Sequence, residues 1–515
     1  MAEQSRFEQY VLLPGGQLRA AQSTPEVREF FAGLAAPGEM HNLDAAAPGA
    51  QLRVVDTLGS DGAALIEASP EALLALRRLQ PGVSVVPLRH YTPAIARRHV
   101  EGHPAGATVA PGAEVAIRVV SAQGGAPVVG AFVVAFVDFS TKSGDQGVTD
   151  ANGQVKFALG SQSTTLDRLY VYPIDAYWSS ISTNFVATDG ATVQVQPLDL
   201  AFTDGLRHYY GNADDGTAGG VTVAVIDTGV GPHPDLVVAG GANTVTGESP
   251  TDFADNGQHH GTHVAGIIAA RGRPPTGIRG VAPGVTLRAY RVFAKGSGSA
   301  TSFAIAKAID QAVTDGCDLL NMSLGGGQPD PVLQASIAAA RSGGSLCIIA
   351  AGNGDRAPVA FPASEPTAVA VSALGRVGTF PTTASEADDV ASPFGTDPSD
   401  FIASFSNVGS QLALTGPGVG IISTVPGGYA EISGTSMACP AATGMAARAL
   451  AGSAALTMPR DASRSDAMVK AILGSAKSLG FAPGFEGHGL LDFGPTPTPH
   501  PTPHPHPTPH PTPHP

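Results

Sequence analysis

Five strand-length apolar runs, at 221–226, 286–292, 319–322, 346–350 and 368–371, are separated by helical runs such as 302–313 and 331–341. Strands that alternate with helices along a chain pair in parallel, because each crossover needs a helix that packs back onto the sheet. The expected fold of this region is therefore α/β, a mainly parallel sheet with helices on both faces. In such a sheet side chains at the carboxyl ends of strands form the site, and two runs end in chemically useful residues. The run at 221–226 delivers Asp227, and the run at 346–350 leads to Asn353 between Gly352 and Gly354.

Two further stretches supply what a carboxylate and an amide lack. His259-His260-Gly261-Thr262-His263 precedes an apolar helical run, and Ser433-Gly434-Thr435-Ser436-Met437-Ala438-Cys439-Pro440 runs into the Ala-rich segment 441–450. Gly434 frees the backbone and Pro440 suits a first helical turn, so Ser436 is expected at a helix N-terminus, where free N–H groups stabilise a developing oxyanion. A serine hydroxyl needs a base and donors for the negative charge. The motif is not a Gly-x-Ser-x-Gly elbow, since Ala438 fills the last position. His259 and His263 stand four apart, but His260 replaces the glutamate of a zinc protease motif, so His263 is expected as a satisfied buried histidine.

These four motifs, in the order Asp, His, Asn, Ser, resemble those of the subtilisin-like serine proteases (subtilases, peptidase family S8). The resemblance covers nearly all of 203–493. It implies a serine endopeptidase working through an acyl-enzyme, with Asp227 orienting the imidazole, His260 as general base then acid, and Ser436 as nucleophile. Asn353 and the Ser436 N–H would form the oxyanion hole. Ser323, Leu324 and Gly325 match the strand that pairs with an extended peptide, Gly298 falls where the opposite wall of the cleft lies, and Gly354 and Ala360 border the primary pocket. Those small pocket residues imply room for an aromatic or leucine-type side chain. In this chain Ala441 stands where the family usually has histidine, and the loop 271–277 lacks the family's calcium-binding asparagine. Asp235 matches one calcium carboxylate, but one oxygen does not make a site that takes six to eight, so calcium stays open without being predicted, and no cofactor is expected to be required.

Upstream, residues 1–91 read as strand, helix, two strands, helix, strand: runs at 10–13, 24–34, 52–55, 63–67, 69–79 and 83–88. This βαββαβ order is a ferredoxin-like split unit. In subtilases that pattern resembles the inhibitor-type (I9-like) propeptide, which assists folding and blocks the cleft. The implied protein is a self-processing zymogen whose own N-terminal domain is its intramolecular inhibitor, with the tail Arg89-His90-Tyr91-Thr92 running into the site and a cut near Tyr91. An unrelated accessory α+β domain is the alternative reading.

Residues 92–202 carry short runs at 114–120, 131–137, 153–159, 169–172 and 192–195, spaced as in a β-sandwich and resembling Ig-like and transthyretin-like modules. The Asn152-Gly153 pair signals a hairpin, and Trp178, the chain's one tryptophan, is expected in the sandwich core. The acidic segment 386–400 is expected as a solvated surface loop. Residues 494–515 form a tail that from Pro495 onward is Pro, Thr and His alone, a composition that favours an exposed polyproline II conformation.

The formal net charge of −14 disfavours nucleic acid or an anionic membrane as partner. Protein or peptide substrates are implied, for a protein expected as a monomer. The three cysteines read as small core residues. Residues 1–10 show no signal-peptide core, and no run is long enough for a membrane span, which leaves open a cytoplasmic enzyme, a leaderless route or a start upstream. Two other functional classes stay open on sequence: a silent subtilase used for binding, and adhesion through the sandwich and tail.

Overall fold

The computed structural model describes residues 7–34, 37–38, 40–42, 50–102 and 114–492. The tail at 494–515 lies outside the described residues.

The N-terminal unit contains β1 (Glu8–Pro14), α1 (Pro25–Ala32), β2 (Met40–Asn42), β3 (Gln51–Thr57), β4 (Ala64–Ala68), α2 (Pro70–Leu79) and β5 (Val83–Pro87). The strands pair antiparallel in the order β2-β3-β4-β1-β5. The core βαββαβ elements are those expected, and β2 is an added edge strand. Ser69 caps α2, accepting a hydrogen bond from Ala72 N. Alternation in β1 divides the sheet. Leu12 faces Val27 and Phe31 of α1 and Ala72, Ala75 and Leu76 of α2. Val11 and Leu13 face the other way, with Val86, onto three residues of the large domain, Phe303, Ala306 and Val332. Arg19 to Asp310 (2.6 Å) and Lys307 to Asp56 (2.7 Å) border that contact.

After this unit β6 (His90–Pro93) is followed by seven strands: β7 (Val115–Ser121), β8 (Phe132–Asp138), β9 (Ser143–Val148), β10 (Gln154–Phe157), β11 (Ser163–Tyr172), β12 (Ser180–Thr188) and β13 (Ala191–Val195). They form two sheets, β10-β7-β13 and β12-β11-β8-β9, around a shared apolar core that includes Ile117, Val133, Phe157 and Leu169. The Asn-Gly turn departs from the hairpin expectation. It joins β9 to β10, which belong to different sheets, so it turns a corner. Asp150 Oδ1 accepts from Asn152 N and Gln154 N there, and Gly153 takes φ +73°.

The large domain begins with α3 (Gly205–Tyr210) and β14 (Thr222–Asp227), then β15 (Gly240–Asn243), α4 (His260–Ala269), β16 (Thr286–Arg291), β17 (Ala300–Thr301), α5 (Ser302–Thr314), β18 (Leu319–Met322), β19 (Leu324–Gly325), α6 (Pro331–Ser342), β20 (Leu346–Ala350) and β21 (Val369–Arg376). It ends with β22 (Asp400–Ile402), β23 (Leu412–Pro417), β24 (Ile421–Val425), β25 (Gly428–Ile432) and α7 (Thr435–Leu450), before shorter C-terminal elements. Seven strands run parallel in the order β15-β16-β14-β18-β20-β21-β23. Residues of α4 and α7 pack on one face and residues of α5 and α6 on the other. The chain passes from β14 to β16 on one side and later to β18 on the other. That reversal beside β14 opens the crevice in which such sheets build sites.

Two expectations about the sandwich are corrected. Trp178 is 3% exposed, but it is buried with the large domain's core and packs edge-on against Phe202 at 5.2 Å. The first part of the acidic segment, 386–389, is not solvated, because its charges have partners on the sandwich side, whereas Asp397 and Asp400 pair with Arg376 of the large domain. Asp388 accepts from Tyr170 Oη (2.7 Å) and pairs with Arg168, Asp389 lies 3.4 Å from Arg98, and Ser179 Oγ donates to Glu386 (2.8 Å). Burial pushes the Asp389 carboxyl up to about 8.

Trp178→Ala therefore empties a site shared by two modules. The expected loss is about 3–5 kcal/mol, read as lower calorimetric stability of full-length Ser436→Ala protein, with the sandwich melting apart from the large domain.

Candidate active site

Each candidate side chain is placed by an element end. Asp227 is the last residue of β14 and His260 the first of α4, after His259 in the left-handed region (φ 67°). Asp227 Oδ1 lies 2.8 Å from His260 Nδ1, and both side chains are 1% exposed. The same oxygen accepts from Thr228 N (2.7 Å), while Thr228 Oγ1 accepts from Gly261 N (2.8 Å). These bonds fix the imidazole and direct its Nε2 away from the carboxylate. Nε2 has no hydrogen-bond partner.

Ser436 is the second residue of α7, as a helix N-terminus requires. Pro440 is the correction here: it lies inside the helix rather than in the first turn. A proline at that place gives no N–H to the carbonyl four residues earlier, which is that of Ser436. Ser323 Oγ replaces the missing donor at 2.8 Å, and is itself held by Asn321 Nδ2 at 3.0 Å. Ser436 Oγ donates to Ser323 O at 2.7 Å. The hydroxyl thus faces β19's approach rather than the imidazole.

Asn353 follows β20. Its Oδ1 accepts from Thr435 N (3.0 Å) and Thr435 Oγ1 (2.8 Å), which fixes the orientation of the amide. Asn407 braces the loop, accepting from Gly354 N (2.7 Å) and donating to Ala351 O (3.1 Å). Sequence reasoning did not assign roles to Thr435 or Asn407, or to the Ser323 side chain. The proline at 440 was the available signal for Ser323.

A carbonyl oxygen already occupies this donor pair. Asn353 Nδ2 donates to Ala94 O at 2.5 Å and Ser436 N donates to the same atom at 3.2 Å. Ala94 N donates to Ser323 O (3.2 Å) and Ala96 N to Ser433 O (2.9 Å), so the chain crosses the site on both sides. Upstream, β6 is sandwiched antiparallel between β17 and β19, with Tyr91 opposite Ala300 and Thr92 opposite Gly325. The segment in the site is thus centred on Ala94, three residues beyond the expected position at Tyr91. Leu324 and Gly325 form β19, opposite Pro93 and Thr92 of β6. The opposite wall is Ala300–Thr301, and Gly298 is exposed just before it. Ala360 borders Gly352, and Gly354 is exposed.

His263 is fully buried, with Nε2 3.2 Å from Ile421 O and 3.1 Å from Ala430 O. Burial, then the nearby His260, depresses its pKa to about 3. Asp235 Oδ2 accepts from Ile278 N (3.0 Å) and Tyr429 Oη (2.9 Å), so this carboxylate braces the 271–278 loop. Among the described residues no group of three or more His, Cys, Asp or Glu is placed to hold a metal. The three cysteines are buried and free. No helix among the described residues is long and apolar enough to cross a membrane.

The subtilase family profile matches residues 218–488. Subtilisin Savinase of Lederbergia lenta is 39% identical over 267 residues, 51% of this chain and 86% of that protein. Subtilisin BL of the same organism is 38% identical over 267 residues, with the same coverage. An alkaline protease of Alkalihalobacillus alcalophilus is 39% identical over 267 residues, 51% of this chain but 61% of the relative's own length.

Two outcomes are expected from these contacts. Ser323→Ala leaves a buried carbonyl without a donor and should cost about 1–3 kcal/mol in urea unfolding of the Ser436→Ala protein. His263 is neutral when folded and protonates at about 6.5 when unfolded, so its contribution is intact above that pH and lost as pH falls toward 3. Comparing the protein with its His263→Gln variant, the histidine form should lose about 2 kcal/mol more between pH 7 and 5.

Proposed function

The chain belongs to the subtilase family and is a subtilisin-like serine endopeptidase, and we propose that it is made as a precursor that cleaves its own bond between Ala94 and Ile95. The observation that carries this reading is the double hydrogen bond to Ala94 O, which holds the carbonyl where an attacked carbonyl needs stabilisation.

In this reading Ser436 is the nucleophile, His260 the base and Asp227 the group that orients and supports the imidazole. The Ser436 hydroxyl turns from Ser323 O toward His260 Nε2, which is free to accept its proton. Oγ then attacks the Ala94 carbonyl carbon, and the negative charge grows on an oxygen already bound by Asn353 and Ser436 N. His260 returns the proton to the Ile95 nitrogen as the C–N bond breaks. Water attacks the resulting ester by the same route and releases the Ala94 carboxylate and the Ser436 hydroxyl. Asp227 steadies the imidazolium in both halves.

The first unit acts in this reading as the intramolecular inhibitor. It grips α5 and α6 with one sheet face and feeds β6 between the cleft walls, so a substrate cannot pair there while it is bound. Ser323, Leu324 and Gly325 bind substrate through backbone pairing. The self-presented residue at the primary position is Ala94, whose side chain is small. The natural substrates are proteins or peptides presented in the same extended form, without a bound cofactor.

Intact-mass and N-terminal sequencing of the purified full chain test this. The expected result is a new N-terminus at Ile95 in wild type and an uncut chain in Ser436→Ala. Equal masses, or a cut at another bond that Ser436→Ala also suffers, would overturn self-processing.

A further inference from the structure

We infer that the carboxylate of Asp330 makes this protease select tyrosine over phenylalanine at the fourth residue before the cleaved bond. This rests on Ala94 being the residue whose carbonyl is attacked, which puts Tyr91 at that fourth position.

Tyr91 is 1% exposed, its ring 6.2 Å from that of Phe361 in an apolar cluster with Leu324 and Ile305. At the end of the pocket Tyr91 Oη donates to Asp330 Oδ2 at 3.2 Å. Asp330 is fully buried. Its other oxygen, Oδ1, caps α6 by accepting from Val332 N at 2.9 Å. The Ser302 hydroxyl also donates to the carboxyl, and the Arg89 guanidinium acts on it at longer range. Capping alone needs one side-chain oxygen, which serine, threonine or asparagine supplies equally well. The second oxygen of Asp330 is aimed at the ligand side of the pocket, where its partner is the phenol.

Two consequences follow when the N-terminal segment leaves. The backbone pairing of residue 91 with Ala300 is open to any substrate residue. The pocket end is not, because a buried acceptor then lacks one donor. A tyrosine at the same place restores that hydrogen bond. A phenylalanine fills the apolar volume but covers the oxygen without satisfying it. Sites built to bond a hydroxyl reject the analogue that lacks it far more strongly than apolar pockets distinguish a methylene.

The test is the ratio of kcat/KM for two p-nitroanilides, succinyl-Tyr-Thr-Pro-Ala and succinyl-Phe-Thr-Pro-Ala, with the full chain after self-cleavage. Any N-terminal domain still bound competitively lowers both values equally and leaves the ratio unchanged. The expected preference for tyrosine is about tenfold or more. Asp330→Ser keeps a capping oxygen but withdraws the acceptor from the pocket end. It should bring the ratio close to one, chiefly by raising kcat/KM for the phenylalanine peptide, which no longer covers an unsatisfied oxygen. Asp330→Asn retains an acceptor and should keep part of the preference. A wild-type ratio near one, or an undiminished preference in Asp330→Ser, would overturn the role of Asp330. Failure to cleave either peptide would instead remove the protease reading of the site on which this inference stands.

Discussion

The hydrogen bonds from Asn353 Nδ2 and Ser436 N to one carbonyl oxygen, that of Ala94, are what the rest of the structure is arranged around. Each donor comes from a different element, so their convergence has to be secured separately. Thr435 does this for the amide by occupying Asn353 Oδ1 with both its N–H and its hydroxyl. The backbone donor is secured by α7, whose first turn has no intrahelical acceptor for the Ser436 N–H. The internal proline of α7 then leaves a carbonyl open, and Ser323 closes it. Ser323 also receives the Ser436 hydroxyl and Ala94 N on its own carbonyl. The Ser436 hydroxyl, the donors and the bound segment are thus referred to one residue between β18 and β19.

Much of this was legible in the sequence because it follows from local patterns. Apolar runs of strand length gave the parallel sheet, and their ends located Asp227 and Asn353. The short-range signals failed where a contact between modules decided the outcome. Trp178 was read as sandwich core on hydrophobicity alone, and it is hydrophobic burial that it finds, but against Phe202 and the large domain. Glu386, Asp388 and Asp389 read as solvated because nothing near them in sequence is basic. Their partners, Arg98, Arg168, Tyr170 and Ser179, lie more than two hundred residues upstream. The Asn152-Gly153 turn has hairpin chemistry, yet turn chemistry does not say whether the next strand returns to the same sheet. The centring of the bound segment on Ala94 also has no local signature, being set by the register of β6 against β17 and β19.

The segment after Ala94 shows what the middle module contributes. Ala96 is held by Ser433 O, and Arg98 reaches Asp355 at 3.1 Å and Asp389 at 3.4 Å while its N–H donates to Tyr172 Oη. The chain before Ala94 is therefore held between β17 and β19, and the chain after it by Ser433, Asp355 and Asp389 of the large domain together with Tyr172 of the sandwich. A peptide gripped on both sides of the bond has little freedom to leave the donor pair. The same rigidity keeps the carbonyl on its two donors without further ordering of the chain.

Buried acids beside the cleft do not weaken this arrangement, because each is hydrogen-bonded to a serine. Glu386 and Glu431 lie at the module boundary with Ser433 Oγ 3.0 Å from one and 3.3 Å from the other. Burial, reinforced by Glu386, drives the Glu431 pKa well upward, which favours the neutral form of this carboxyl. Ser179 of the sandwich donates its hydroxyl to Glu386 and its N–H to Glu431, closing the network from the other side. A fully bonded buried polar cluster fixes one arrangement of its partners where an apolar contact would allow several. The residue at its centre, Ser433, is also the one whose carbonyl holds Ala96. The docking of the sandwich is in this way transmitted, through a single residue, to the position of the chain on the leaving side of the bond.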